Sequence, residues 1–385
     1  MHTEVSKMDA LILDKNWEVV AILDAFQSFI WTDRFLGYGD FEVYVPADMP
    51  IGKEFKQDYY LWCREKSDRL MVIETIETKV DVENGNFLTV TGRSLESILE
   101  RRIIWGYRQC YGNLQKSIRN LLNQNAISPS NNDRKIQNLV FRETTDTRIT
   151  TLTVDTQYFG DNLYEAIYGI CEEKKIGFRI LPDFSTKQMI FELYVGEDRA
   201  YDQTKNPYVV FSPSFDNFLS SNYIESKKAL KNATLIGGSG EGSARKTTEV
   251  TGENYGIGLD RREVFTDCSG VSDDVDTYDI EHNEDLTEKE KETEILRRKN
   301  EAVIAMYTEM EQKGREELAK TSITQSFEGE VEARIQFIYK RDFTIGDLVQ
   351  VQNEYGQSGK ARVSEIVFSE DTSGESMTPT FTAEV

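Results

Sequence analysis

Short β-branched and aromatic runs crowd both ends of this sequence. Between residues 9 and 98, ALILD, EVVAILD, SFIWTDRF, DFEVYVP, YYLWCRE, RLMVIETIETKVDV and NFLTVTGRS follow one another with only brief polar breaks. In DFEVYVP, Phe41, Val43 and Val45 alternate with Glu42 and Tyr44, the period-two pattern of a half-buried strand. Gly37-Tyr38-Gly39-Asp40 and Asn84-Gly85-Asn86 mark turns, the second of them a hairpin. Strands at this density predict a small antiparallel barrel or sandwich. The same texture returns at 208–236 and again at 323–385, in FTIGDLVQVQNEYG, GKARVSEIVFSED and TPTFTAEV.

Between these β-rich ends the pattern changes. SLESILERRIIW (94–105) and NLQKSIRNLLNQNA (113–126) carry apolar residues at helical spacing, with Asn113 as N-cap. TRITTLTVDT reads as a strand, and GDNLYEAIYGICEEKK as a helix capped by Asp161 or Asn162. KIGFRILPDFSTKQMIFELYVGE reads as two strands turning at Pro182-Asp183. A long helix is expected from Asp285, with Thr287 and Glu290 as a capping box and Ile295, Val303, Tyr307, Met310 and Leu318 on one face.

The expected fold class is therefore α+β, mainly β. Two antiparallel β-barrel-like domains (1–105, and 207–245 with 322–385) flank an α+β domain (106–206). An acidic loop and long helix (246–321) form an insertion in the second barrel.

Composition excludes several functions. The 385 residues include 45 basic and 67 acidic side chains, a net charge of −22 that repels nucleic-acid backbone and anionic lipid. The doublets Arg101-Arg102, Arg261-Arg262 and Arg297-Arg298 are isolated and suit salt bridges at element ends. No apolar run is long enough for a membrane span, and the opening MHTEVSKMDALILD lacks a signal-peptide layout, so folding in a cytoplasm is expected. Cys63, Cys110, Cys171 and Cys268 lie far apart, which suits reduced, buried thiols. The two histidines, His2 and His282, sit at the extreme terminus and in an acidic run, poor places for a catalytic triad or a metal ligand. Trp17, Trp31, Trp62 and Trp105 read as core or subunit-contact residues.

Two stretches invite a chemical reading. LIGGSGEGSARKT (235–247) spaces Gly237 and Gly242 as a Walker-type loop does, but Ser243 stands where the lysine is needed, and no helix pattern follows. It reads as a loop leaving a strand. The acidic run SDDVDTYDIEHNED lacks the glycine and the ligand order of a calcium loop and reads as a solvated linker. No catalytic, cofactor-binding or metal-ligating residue is nominated, and no cofactor is expected.

Four segments carry a resemblance: LILDKNWEVVAILDAFQSFIWTDRFLGYGDFEVYVP, VTGRSLESILERRIIW, LIGGSGEGSARKT, and SFEGEVE with FTIGDLVQVQNEYG. Together they look like the siphophage-type tail protein family of prophages and tail-like particles. That family is similar to baseplate hub proteins and to the N-terminal part of tail-associated proteins. The resemblance implies a homotrimeric ring in which two barrels per subunit offer six similar surfaces to a hexameric tail tube. It implies a virion protein made in the host bacterial cytoplasm, without catalytic residues. The implied partners are further copies of itself, a tail tube or distal tail protein, a tail-tip, spike or fibre protein, and a tape measure protein. The chain stops at Val385, just after its last strands, so wall-degrading or receptor-binding activity is expected of a partner. Two rival readings are a receptor- or cell-wall-carbohydrate-binding module, from the plentiful tyrosines and phenylalanines, and a peptidoglycan hydrolase.

Overall fold

The computed structural model describes residues 8–383 except 65–66, 82–84, 216, 218–221, 253–255, 322–323, 329–336, 354 and 357. It is mainly β, and the strands from the two ends of the chain form one thirteen-stranded sheet. The N-terminal part runs, in spatial order, Ser28–Arg34, Asp40–Pro46, Gly85–Ser94, Met71–Asp81, Tyr60–Trp62 and Ala10–Leu13, with Val19–Leu23 added at the end. The C-terminal part runs Asn222–Ser226, Thr324–Glu328, Gly374–Ala383, Ser358–Asp371, Leu348–Gln352 and Val210–Phe211.

These two orders are the same. Numbering the six strands of each part by their place in the chain, both read 2-3-6-5-4-1 across the sheet. Both contain a long hairpin whose first strand is bulged, between Ile73 and Thr75 in one and between Val363 and Glu365 in the other. Within the six shared strands one pairing differs in sense: Ala10–Leu13 meets Tyr60–Trp62 antiparallel, whereas Val210–Phe211 meets Leu348–Gln352 parallel. The topology is thus a repeat that individual residues do not advertise. Among the described residues the strand path stays open at both ends, and no closed barrel forms.

The repeats share a single core. Trp31, Phe41, Val43 and Val90 from the first pack in one buried cluster with Phe211, Phe343, Val363 and Phe381 from the second. Aromatic edges knit it together: Phe211 lies 5.0 Å from Phe381 and 5.2 Å from Phe343, centroid to centroid.

The middle of the chain builds a second core. Leu114–Leu122 and Leu163–Glu173 are helices capped by Asn113 and Asn162, each accepting from backbone N–H groups of the first turn. They pack with a three-stranded sheet of Gly177–Asp183, Gln188–Tyr194 and Leu139–Arg142, and with a ribbon of Arg108–Asn113 and Thr153–Tyr158. Two sequence expectations shift here. Thr147–Thr150 is a helical turn capped by Asp146, so the strand in TRITTLTVDT is confined to its second half. The hairpin turns after Asp183, whose carboxylate accepts from Ser185 and Thr186, and Pro182 stays paired with Met189.

The expectation that Ala233–Gly237 joins the closing strands is corrected. This strand lies between Thr247–Thr251 and Glu263–Asp267 in a separate three-stranded sheet. The cause is packing: buried Ile236 meets Met306 and Met310 of the long helix Glu288–Lys320. The insertion therefore occupies 227–323 of the second repeat. The matching connection in the first repeat is only 35–39. The helix opens on the expected capping box, where Glu290 accepts from the Thr287 N–H at 2.8 Å and from its hydroxyl at 2.6 Å.

Candidate functional site

The repeats meet along one seam. Ser28–Arg34 pairs antiparallel with Glu365–Asp371, placing Phe368 opposite Trp31 and Glu365 opposite Arg34. The Arg34 guanidinium donates to Glu365 at 2.7 Å and to Asp40 at 2.5 Å. Burial works against its charge, the two carboxylates outweigh that, and its pKa lies above the ordinary value.

Behind the seam lies a buried polar network. Trp31 Nε1 and Ser67 Oγ both donate to Asp33, at 3.0 and 2.9 Å. Burial pushes the Asp33 carboxyl upward, against the pull of Arg69, Ser67 and Trp31. Arg69 donates to Glu96 and, at 2.9 Å, to the carbonyl of Arg34. Glu96 also accepts from the Ile180 N–H at 2.8 Å, and the Tyr194 hydroxyl donates to the Phe35 carbonyl at 2.9 Å. One network thus fastens the first repeat to the middle domain. Sequence reading did not nominate Asp33, Arg34, Arg69 or Glu96. The available signal was an acid-base pair, Asp33-Arg34, inside the otherwise apolar run SFIWTDRF.

The residues that invited chemistry are occupied by structural tasks. LIGGSGEGSARKT forms a tight connection between two paired strands. Arg245 folds back to donate to the carbonyls of Gly237 and Gly238, at 3.1 and 3.2 Å, and pairs with Asp267. A Cβ at Gly238 would stand 2.8 Å from the Met310 sulfur, so close packing on the long helix accounts for that glycine. Gly240, at φ +97°, makes the turn. In the acidic run, Asp279 pairs with Arg298 and Asp273 with Lys246. His282 is exposed and stacks on Tyr278. Among the described residues, no cluster of three or more His, Cys, Asp or Glu is placed to hold a metal, and no helix is long and apolar enough to cross a membrane.

No disulfide joins the four cysteines, all of them buried, and burial pushes the Cys110 thiol up to about 12. Arg101 pairs with Asp58, Arg261 with Glu249 and Glu263, and Arg297 with Glu294 and Glu301. Arg102 and Arg262 donate to backbone carbonyls. Trp31 is fully buried, while Trp17 and Trp62 pack on Phe184. Trp105 is half exposed under the Arg134 guanidinium. A shallow groove lined by Asp40, Glu42, Glu74 and Arg93 collects carboxylates. Arginines engage two of them: Arg34 takes Asp40, and Arg93 takes Glu74 at 2.7 Å.

The model of the siphovirus ReqiPepy6 Gp37-like protein family matches residues 9–381, both repeats and everything between them. The chain belongs to this family. No curated protein matches the sequence. Among solved structures, the fold is similar to the 43 kDa tail protein of prophage MuSo2 from Shewanella oneidensis. The TM-score is 0.52 at 12% identity, covering 97% of this chain and 98% of that one. It is also similar to a tail protein from Neisseria meningitidis MC58, with TM-score 0.51, 11% identity, and coverage of 97% and 96%. A third similar fold is prophage tail protein gp18 from Listeria monocytogenes EGD-e, with TM-score 0.50, 10% identity, and coverage of 98% and 94%. At these identities the likeness lies in the fold, and this member of the Gp37-like family shares it along nearly its whole length.

Proposed function

We propose that this Gp37-like chain is a structural protein of the phage tail, a hub whose homotrimeric ring joins a hexameric tail tube to the tail tip. The observation that carries the reading is the repeated strand order. Three chains, each holding the same six-strand arrangement twice, present six similar units, the number a hexameric partner needs. In this reading the chain divides into a first barrel-like module (1–105), a middle domain (106–206), and a second module carrying the helical insertion. Its partners are a tail tube or distal tail protein on one side and a tip, spike or fibre protein on the other, with a tape measure protein in the channel. Contact, rather than catalysis, is the task, and stable contacts of this kind bury roughly 2,000 Å² or more. The work is done on the virion, after synthesis in the host cytoplasm.

The deciding measurement is the native mass of the purified chain by light scattering. A particle of three times the 44.3 kDa chain supports the hub. A stable monomer or dimer that does not change when tube protein is added overturns it.

A second reading, a carbohydrate-binding tail module, is favoured by Trp105, Tyr107, Tyr111 and Phe159. These aromatics are exposed on or beside the ribbon of Arg108–Asn113 and Thr153–Tyr158. Titration with host wall polysaccharide tests it: binding that Tyr111→Ala abolishes would favour the module over the hub.

A further inference from the structure

The internal seam shows what the outer edges are built to meet. In the second repeat, the residues after the bulge, Glu365–Asp371, stay paired within their hairpin and use their other edge to pair with Ser28–Arg34 of the first repeat. The corresponding residues after the bulge in the first repeat are 75–81. Their strand continues past its inner neighbour, because Tyr60–Trp62 pairs only with Met71 and Val72. Among the described residues, no strand pairs with the outer edge of 75–81. Val80 there is 76% exposed, and Glu77, Thr78 and Lys79 are exposed as well. At the far end of the same sheet, Asn222–Ser226 is the place-for-place counterpart of Ser28–Arg34. Among the described residues it pairs with one strand, Thr324–Glu328.

A strand edge that no other described strand pairs with is a template for strand addition, and 75–81 and Asn222–Ser226 each present one. We infer that residues 75–81 of one copy pair antiparallel with Asn222–Ser226 of the next, repeating between chains the seam that Glu365–Asp371 and Ser28–Arg34 make within one. This deepens the ring reading and rests on it: the occupant of each edge is a second copy of this chain. The interface is head-to-tail, joining two different segments, so it generates a closed ring or an open filament and is not isologous.

The repeat fixes the register. Thr91 stands opposite Thr75 as Thr380 stands opposite Glu365, which aligns the two hairpins. Glu42 faces Thr91 as Glu328 faces Thr380. Ile30 faces Glu42 as Asn222 faces Glu328. Carrying the internal pairs Glu365↔Arg34, Val367↔Thr32 and Ser369↔Ile30 across gives Thr75↔Ser226, Glu77↔Ile224 and Lys79↔Asn222. A one-residue slip would turn every side chain to the other face, so the register is a sharp expectation.

Cysteine pairs test it in the full chain. Directly opposed residues in antiparallel strands have Cα atoms about 4.5–5.5 Å apart, within disulfide reach. The four native cysteines are buried and do not compete. Under mild oxidation, the double variant Glu77→Cys with Ile224→Cys should run as a covalent trimer on a non-reducing gel. Co-expressed single variants should give covalent dimers, and either single variant alone should give none. The out-of-register pair Lys79→Cys with Ser226→Cys should not link. Light scattering under reducing conditions establishes that the variants still assemble. A native trimer without the covalent product overturns this pairing and leaves the ring standing. Single variants that link to themselves reveal a two-fold contact and overturn the pairing as well. A chain that stays monomeric even when tube protein is added overturns ring and pairing together.

Discussion

Arg69 donates to Glu96 deep inside the protein, with the glutamate fully buried and the arginine 3% exposed. Both residues belong to the first module, and Glu96 ties the pair to the middle domain by accepting from the Ile180 N–H. Removing one partner leaves the other charge buried and unpaired, which typically costs about 3–5 kcal/mol. Arg69→Met is therefore expected to shift chemical denaturation to markedly lower denaturant. Replacing both, Arg69→Met with Glu96→Leu, should recover a large part of the loss. Equal loss in the single and double variants would show that the pair does not hold this junction.

Gly92 tests the closeness of the first sheet. A Cβ there would stand 1.8 Å from the Val72 carbonyl oxygen and 2.8 Å from the Phe41 ring. Gly92→Ala should destabilise by roughly 1–3 kcal/mol or more, as overpacking does. Gly270→Ala, where a Cβ meets nothing within 4 Å, should be near neutral by thermal melting.

The long helix meets the middle domain through acids. Glu316 accepts from Gln312 at 3.1 Å, and Gln312 also donates to Glu173 at 2.6 Å. Burial raises the Glu316 pKa above its ordinary value, with Glu173 adding to it against the hydrogen bond from Gln312. The folded state thus holds the Glu316 proton at pH values where the unfolded chain has released it. Its contribution to stability is present below the unfolded value of about 4.3 and is lost as pH rises through the folded one. Glu316→Gln should flatten the fall in stability across that window. An unchanged pH profile, followed by urea unfolding at a series of pH values, would contradict this.

The glycine stretch yields a negative result to check. Arg245 is engaged by two carbonyls and Asp267, and Lys246 by Asp273, so no cation there is left waiting for phosphate. Millimolar ATP with magnesium should leave the melting temperature unchanged, and Lys246→Ala should behave likewise.

Local patterns carried much of the fold. Period-two runs located the strands of the first repeat, and Asn113, Asn162 and Thr287 marked helix starts because their side chains cap the helix with short-range hydrogen bonds. Where the sequence misled, distant packing had overridden local preference. The β-branched TRITT reads as strand, yet Asp146 caps a helical turn there and Arg148 donates to the Gly196 carbonyl. Ala233–Gly237 looks like its neighbours in the chain, but its partners are chosen by the helix that arrives seventy residues later. The seam was not legible at all. Arg34 and Glu365 lie 331 residues apart, and nothing in either segment names the other.

The two repeats differ most at one connection, residues 35–39 in the first and 227–323 in the second. A binding partner that grips only the strands encounters the same scaffold twice per polypeptide. One that reaches the helix encounters it once. A single gene product can therefore show one periodicity on its plain side and half that periodicity on its ornamented side, with no second protein needed to mark the difference.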